Sequence, residues 1–208
     1  NGHNPGGQRP PAGPNPSVRP GRPTPPPPPA PHPGGYRPQR PPYIAPGHHN
    51  HRIPFLSSFH RPVPPPAWRP VPHRGPSFGT ILGIALGTTV DLSLNALLNY
   101  GYNVTGYNNN VVYLTNVPQM NYYWPDAALY YNNGILAGST FTYPTTVYDM
   151  SRYNALYNTF YAQYGTPVSV VNNGGVVSAT WFGNGNRYVS LEFNSNYGNY
   201  YTTLSFGL

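Results

Sequence analysis

The sequence SLNALLNYGYNVTGYNNNVV, residues 93–112, is matched 64 residues further along by YNTFYAQYGTPVSVVNNGGVV, residues 157–177. In each stretch a Tyr-Gly pair is followed, in order, by a valine, an Asn-Asn pair and a Val-Val pair. The second stretch has one more residue between its Asn-Asn and Val-Val pairs. The matched positions are Tyr100-Gly101 with Tyr164-Gly165, Val104 with Val168, Asn108-Asn109 with Asn172-Asn173, and Val111-Val112 with Val176-Val177. The match predicts two copies of one structural unit. The alternative is coincidence within sequence rich in Asn and Tyr.

The second copy begins with a predicted helix, whose apolar and aromatic residues recur every three or four positions and therefore share one helical face. These residues are Tyr153, Leu156, Tyr157, Phe160, Tyr161 and Tyr164. Asp149 can cap the first turn, Gly165 suits a left-handed C-terminal residue, and Pro167 prevents continuation. Four strand-like segments follow, separated by Asn and Gly turns: PVSVVN, GVVSATWF, RYVSLEF and YYTTLSF. Alternation places Val189, Leu191 and Phe193 on one face, and Leu204 with Phe206 on one face of the next strand.

The first copy has the same order of elements. A helix ends at Tyr100-Gly101, and the segments NVTGYN, VVYLTNV, AALYY and ILAGSTFTYP follow, with a longer loop predicted through PQMNYYWPD. One helix and a few strands cannot bury enough apolar surface alone, whereas two joined copies can. The sequence therefore predicts an α+β fold, a tandem helix-plus-antiparallel-meander repeat that packs two helices on a β-sheet. The copies are expected at about 79–144 and 145–208, within a domain of residues 77–208.

A tail of different composition precedes this domain. Residues 1–76 hold 26 of the 30 prolines, nine of the 11 arginines, all seven histidines and no acidic residue, whereas residues 77–208 carry a net charge of −2. Proline fixes φ and removes hydrogen-bond donors, so a disordered or polyproline II tail is expected. Two uses remain open, a solvated tether or a binder of a polyanion such as lipopolysaccharide or a wall polymer, with candidate contacts at Arg61, Arg69, Arg74 and Trp68. Nucleic acid fits less well, because aromatic residues are sparse in the tail.

The segment GTILGIALGTTVD spaces Gly79, Gly83 and Gly87 by four residues, which permits close helix contact. Its apolar run is too short to span a bilayer, and Asp91 follows. The sequence favours a buried or sheet-packed amphipathic segment. A helix at a membrane interface is the other interpretation.

The helix, the stretch YGTPVSVVNNGGVVSATWFGNGNRYVSLEF and the strand NYYTTLSFG resemble the helix-plus-meander units of small exported bacterial envelope proteins, the beta-lactamase-inhibitor-like and SmpA-like modules. The resemblance covers roughly residues 91–208. It implies binding of other proteins through the sheet face or the hairpin loops. The long tail and the absence of a lipoprotein cysteine depart from that pattern.

Catalytic chemistry has few candidates in the domain. The chain has no cysteine and no lysine, and residues 77–208 hold no histidine and only four acids, Asp91, Asp126, Asp149 and Glu192. A carboxylate pair for glycoside hydrolysis would have to come from these four. The histidines of HHNHR, residues 48–52, lack a carboxylate partner for a metal. We therefore expect no enzyme, no cofactor and no metal site.

The densest aromatic cluster is MNYYWPDAALYY, which supplies a candidate binding surface at Tyr122, Tyr123, Trp124, Tyr130 and Tyr131. Tyrosine and tryptophan give contact area at low entropic cost, but the same residues could fill the seam between the two copies. Both interpretations remain open at this point.

The sequence thus predicts a non-catalytic protein-interaction or assembly module of a bacterial cell envelope, with the basic proline-rich tail as its tether. Few charges, many Tyr, Asn and Gly, and a polar start without an apolar leader are typical of an exported, extracytoplasmic protein. The expected partner is another envelope protein, and no transmembrane span is expected in this chain. The alternatives are a structural matrix or adhesive protein and a polysaccharide-binding protein.

Overall fold

Two helices and one large antiparallel sheet make up most of the described chain. The structure is a computed structural model that describes residues 60–208, so residues 1–59 of the predicted tail, with the histidine cluster, lie outside the described residues. The helices are α1 (Val90–Asn99) and α2 (Ser151–Tyr164). The strands are β1 (Thr80–Ile81), β2 (Ile84–Ala85), β3 (Asn103–Tyr107), β4 (Val111–Gln119), β5 (Tyr122–Asn132), β6 (Ile135–Thr145), β7 (Ser169–Asn173), β8 (Val176–Phe182), β9 (Tyr188–Asn196) and β10 (Asn199–Gly207). The predicted α+β class is confirmed.

Eight of the strands form one antiparallel sheet in the order β3-β4-β5-β6-β10-β9-β8-β7. Each set of four follows chain order, and the two sets join where β6 pairs with β10, from Gly138 opposite Gly207 to Thr145 opposite Tyr200. Each set is also preceded by a helix. The sheet therefore has two edges, β3 and β7, and the β6–β10 seam lies at its centre.

Helix α2 forms close to the predicted boundaries. Asp149 lies two residues before the helix and its Oδ1 accepts a hydrogen bond from the Ser151 backbone N–H at 2.9 Å. Gly165 follows the last helical residue with φ of 81°, a conformation that glycine adopts without strain. Of the predicted apolar face, Tyr153, Leu156 and Phe160 are buried, whereas Tyr161 is about half exposed.

The main core is one cluster of buried hydrophobic side chains. Buried side chains of both helices belong to one cluster with alternate residues of the central strands. The cluster includes Leu94, Leu97, Leu156, Phe160, Val189, Leu191, Phe193, Leu204 and Phe206, which confirms the predicted strand faces of β9 and β10. Complete burial of each aliphatic or aromatic side chain contributes about 1.5–3 kcal/mol, so this cluster supplies most of the driving force for folding.

The longer loop predicted through PQMNYYWPD is wrong. Strand β4 extends to Gln119 and β5 starts at Tyr122, so only Met120 and Asn121 form the turn. Both turn residues have positive φ, 52° and 63°, which suits the right-handed twist of a two-residue hairpin. The aromatic residues after the turn therefore alternate along a strand.

The glycine-spaced segment forms a small hairpin rather than a helix. Strands β1 and β2 pair through Ile81 opposite Ile84, and both isoleucines are buried in the main core. Leu82 and Gly83 make the turn with positive φ. The segment is thus sheet-like and buried, in line with the interpretation that the sequence favoured.

The chain reaches this hairpin by passing close to the β8–β9 connection. Pro76 is buried, and a side chain at Gly183 would collide with its backbone. Phe78 then contacts the core through Phe206, at 5.6 Å between ring centroids, and its carbonyl accepts a hydrogen bond from Arg187 Nε. The predicted domain boundary at Pro76 stays a prediction.

Candidate binding face and its resident segment

The five aromatic residues proposed as one binding surface do not lie together. Trp124, Tyr130 and Tyr131 are buried, Tyr122 is half-buried and Tyr123 is 72% exposed. Trp124 contacts the main core through Phe141, whereas Tyr130 belongs to a smaller cluster on the other face of the sheet. Burial also raises the pKa of Tyr131 to about 12. A partner that approaches from solvent meets Tyr123 but not the buried rings.

Tyr122 and Trp124 instead hold an arginine that sequence reasoning missed. The guanidinium carbon of Arg152, on α2, lies 3.6 Å from the ring centroid of Tyr143, 4.5 Å from that of Tyr122 and 4.8 Å from that of Trp124. Its Nη1 donates a hydrogen bond to the Tyr123 carbonyl at 2.8 Å. Partial desolvation lowers the pKa of Arg152. We call this arrangement the arginine cage; it ties α2 to β5 and β6.

The sheet face away from the helices is lined by small hydroxyl side chains, and we call it the hydroxyl face. Cross-strand pairing places Thr180, Ser190, Ser205 and Thr140 in one row, and Ser178, Glu192, Thr203, Thr142 and Asp126 in the next. Hydrogen bonds link Thr180 to Ser190 at 2.9 Å and Thr140 to Ser205 at 3.3 Å. The backbone of four adjacent strands is therefore covered by short, polar side chains at the centre of the sheet.

Tyrosine side chains surround the hydroxyl rows. Tyr113, Tyr130, Tyr188 and Tyr201 are all buried on this face. Burial raises the pKa of Tyr130 and of Tyr188 well above the usual range for a phenol, so both hydroxyls stay neutral at physiological pH. The face presents neutral hydroxyl groups and ring surface, with Asp126 and Glu192 as its carboxylates.

The described chain begins on this face. Residues 60–68, which we call the strap, run from the hydroxyl face to the end of β8. His60 and Pro62 line a recess of about 400 Å³ together with Thr140, Tyr188 and Ser205. At the other end of the strap, the ring of Trp68 lies 5.6 Å from that of Phe182. The strap thus covers part of the hydroxyl face before the chain turns toward the core.

A second recess lies on the other side of the strap and has a volume of about 560 Å³. Arg61 lines it with Tyr113 and Tyr130 and with three asparagines, Asn108, Asn110 and Asn132. The Asn108 side chain is held in place, because its Oδ1 accepts hydrogen bonds from the backbone N–H groups of Asn110 and Val111 at 2.7 and 2.9 Å. We call this the tyrosine recess and the first one the hydroxyl recess.

The tail residues proposed as polyanion contacts are placed differently from one another. Arg61 is exposed but lines the tyrosine recess, and Trp68 is half-buried against Phe182. Arg69 and Arg74 are exposed, and Arg69 Nη1 donates to the carbonyls of Pro66 and Trp68 at 2.8 Å each. Arg69 therefore braces its own segment, and polyanion binding by these residues stays a prediction.

The two acids of the sheet, Asp126 and Glu192, do not form a close pair. Asp126 and Glu192 share one row but are separated by Thr142 and Thr203, which corresponds to three strand spacings or about 14 Å. Carboxylates that cleave glycosides together lie about 5–9.5 Å apart. Asp149 is engaged at the start of α2, where hydrogen bonds from Ser151 lower its pKa. Within residues 60–208 no group of three or more His, Cys, Asp or Glu side chains is arranged to hold a metal ion.

Comparison of the chain with protein-family models, curated proteins and solved structures gave no match. Among the described residues, neither helix has the length and apolar character needed to cross a bilayer. Function is therefore inferred from the hydroxyl face, the strap and the two recesses.

Proposed function

We propose that this chain is a non-catalytic protein-interaction or assembly module that acts outside the cytoplasm, in a bacterial cell envelope. The hydroxyl face is its binding surface. The basic proline-rich tail is its tether, and Arg69 and Arg74, both exposed, are available to a polyanion such as lipopolysaccharide or a wall polymer.

The observation that carries the proposal is the composition of the two sheet faces. One face is committed to the core with the helices, whereas the other is lined by hydroxyl groups and tyrosines at the centre of an eight-stranded sheet. Short hydroxyl side chains adapt their hydrogen bonds to a partner, and Ser190, Thr203 and Ser205 are only partly buried on this face. Serine and threonine outnumber charged residues on this face, where Asp126 and Glu192 are the two acids of the paired rows.

Two further observations support the envelope assignment and the internal repeat. The element order, a helix followed by four antiparallel strands, occurs twice, and Tyr100 and Tyr164 stand at corresponding helix ends. Val111 and Val176 likewise begin β4 and β8. We attribute this correspondence to a tandem duplication with the two helices packed on one sheet. The resemblance to beta-lactamase-inhibitor-like and SmpA-like modules implies the same order of elements and the same use of a sheet face.

A second candidate function, polysaccharide binding, is favoured by the tyrosine recess. Three asparagines line this recess together with tyrosines, and their amides offer the hydrogen bonds that a sugar requires. In this function the site would be the recess rather than the rows of hydroxyls. A substitution in the recess and one in the rows therefore separate the two candidates.

The test compares two threonine-to-arginine variants of the full-length protein. Thr203→Arg places a long cation in the middle of the hydroxyl face, whereas Thr159→Arg places it on the exposed surface of α2. Each variant is expressed in the native source, cross-linked and purified, and bound proteins are identified by mass spectrometry. We expect the wild type and Thr159→Arg to recover the same partner reproducibly. The amount of that partner recovered with Thr203→Arg should be at least tenfold lower.

Equal recovery of that partner with both variants would refute the assignment of the interface to this face. Titration with wall glycans addresses the second candidate: binding that is lost in Asn108→Ala but kept in Thr203→Arg would favour polysaccharide recognition. Insoluble polymers in place of a soluble complex would instead favour a matrix protein. Thermal unfolding of each variant checks that the fold is retained.

A further inference from the structure

We propose that the hydroxyl face binds a proline-rich segment of a partner protein that carries an arginine, in the pattern Arg-Pro-x-Pro, and that the strap is the resident example of this ligand. The inference rests on the proposed function, because it names the chemistry of the partner for the same face.

The strap has the sequence and the exposure pattern of such a ligand. It contains Arg61-Pro62-Val63-Pro64, in which both prolines are half-buried while Val63 between them is 83% exposed. An extended chain that turns alternate residues toward a sheet gives this pattern. Because proline fixes φ in advance, such a segment loses little conformational entropy when it binds.

The surface beneath the strap is complementary to a segment of this kind. Pro62 lines the hydroxyl recess beside Tyr188, and Arg61 lines the tyrosine recess beside Tyr130. Tyrosine rings are the usual contacts for proline rings in recognition of polyproline segments. The hydroxyl recess also contains Glu192, so a second arginine-bearing segment would find a carboxylate on the same face.

The same four-residue motif occurs again at Arg69-Pro70-Val71-Pro72, but there every residue is exposed. The partial burial of Pro62 and Pro64 is therefore not a general property of an arginine-proline sequence next to a folded domain. It reflects the particular surface that Arg61 and Pro62 meet. The second copy supplies a matched control for any change made in the first.

The strap can leave the face without disturbing the core. The chain is anchored further along, where Pro76 is buried against Gly183 and Phe78 contacts Phe206. Residues 60–68 lie before these anchors, and Trp68 contacts Phe182 at the end of β8. A tethered segment competes at an effective concentration on the order of 1 mM, so the strap reduces the affinity for the same sequence added in solution.

The experiment measures binding of a labelled nine-residue peptide, HRPVPPPAW, the sequence of residues 60–68, to the full-length protein by fluorescence anisotropy. The variant Pro62→Gly/Pro64→Gly weakens binding of the strap to the hydroxyl face, because glycine increases the conformational entropy of the unbound segment. Its matched control, Pro70→Gly/Pro72→Gly, makes the same change in the exposed copy. We expect the strap variant to bind the peptide at least tenfold more tightly than the wild type, and the control to bind as the wild type does.

Two additional measurements locate the site and the chemistry. Adding Thr203→Arg to the strap variant should reduce peptide affinity at least tenfold, and a peptide with glutamate in place of its arginine should bind at least fivefold more weakly. The proposal is overturned if the strap variant, shown by thermal melting to be folded, binds the peptide no better than the wild type. It is also overturned if Thr203→Arg has no effect or if the glutamate peptide binds equally well.

These outcomes are distinct from a failure of the proposed function. If the peptide does not bind but Thr203→Arg still removes the native partner, the face remains an interface and its ligand has another chemistry. If the peptide does not bind and Thr203→Arg also leaves recovery of the native partner unchanged, both proposals fail. Light scattering shows whether the strap variant associates with itself. Self-association that the peptide cannot dissociate would also count against an arginine-proline ligand.

Discussion

Replacing Arg152 by alanine should destabilise the fold by about 2–3 kcal/mol. The cage places three rings within 5 Å of one guanidinium, and a cation over an aromatic ring contributes about 0.5–2 kcal/mol depending on its desolvation. The hydrogen bond to the Tyr123 carbonyl adds about 1.5–3 kcal/mol when the donor is charged. Because the side chain is only partly buried and one cation cannot face three rings ideally, the lower part of the summed range applies. At about 2–4 °C per kcal/mol for a chain of this size, the melting temperature should fall by roughly 4–12 °C.

The free energy of unfolding is measured by urea titration, followed by tryptophan fluorescence and by circular dichroism. Arg152→Lys keeps the charge but lacks the planar group that stacks on Tyr143, so it should recover no more than about half of the loss. Arg69→Ala serves as the matched control, because that arginine is exposed and bonds only within its own segment in the described structure. A cost for Arg152→Ala within about 0.5 kcal/mol of the cost for Arg69→Ala would refute the cage as a stabilising element.

Two other predictions concern packing and pH. Gly183→Ala should lower the free energy of unfolding by about 1–3 kcal/mol, since its Cβ would collide with the Pro76 backbone. Gly79 has open space around it, so Gly79→Ala should change stability by less than about 0.5 kcal/mol. Parallel urea titrations check both variants, and equal costs would contradict the close approach of Gly183 to Pro76. Stability should be level from neutral pH to about pH 9 and fall as the pH rises toward 12, because burial raises the pKa of Tyr131 to about 12 and the unfolded chain therefore loses that proton first. At pH 11 this single residue should account for about 1.4 kcal/mol of the loss, so Tyr131→Phe should show a smaller fall between pH 9 and pH 11 than the wild type. An identical fall would exclude its contribution.

Much of the fold could be predicted because its signals are local. The period of the aromatic residues in α2, with Gly165 at its end, and the Asn-Gly turns of the second meander each depend on a few neighbouring residues. The hairpin at Met120 was missed because methionine rarely adopts positive φ, so Asn121 was the only turn signal at this position. Gly83 was ambiguous for the opposite reason, since glycine spacing suits helix contacts as well as turns.

The candidate site was less predictable because it depends on pairing between distant residues. The aromatic cluster was recognised, but strand alternation in β5 separates Tyr123 from Trp124, and that alternation follows from the turn that was missed. The arginine cage joins a helix residue to rings from two other strands, a combination that no sequence window contains. For the strap, proline content predicted an extended chain but carried no information on which surface the chain would meet.

The position of the β6–β10 seam has a consequence for how the protein folds. Hairpins within each set of four strands close short loops, so they can form quickly, whereas the seam pairs Ser139 with Phe206 and must wait for both sets. Until then, two half-sheets exist with unpaired inner edges that carry Phe141 on one side and Leu204 on the other. Such edges pair readily with those of neighbouring chains. We therefore expect refolding yield to fall steeply with protein concentration, with the docking of the two halves as the slow step.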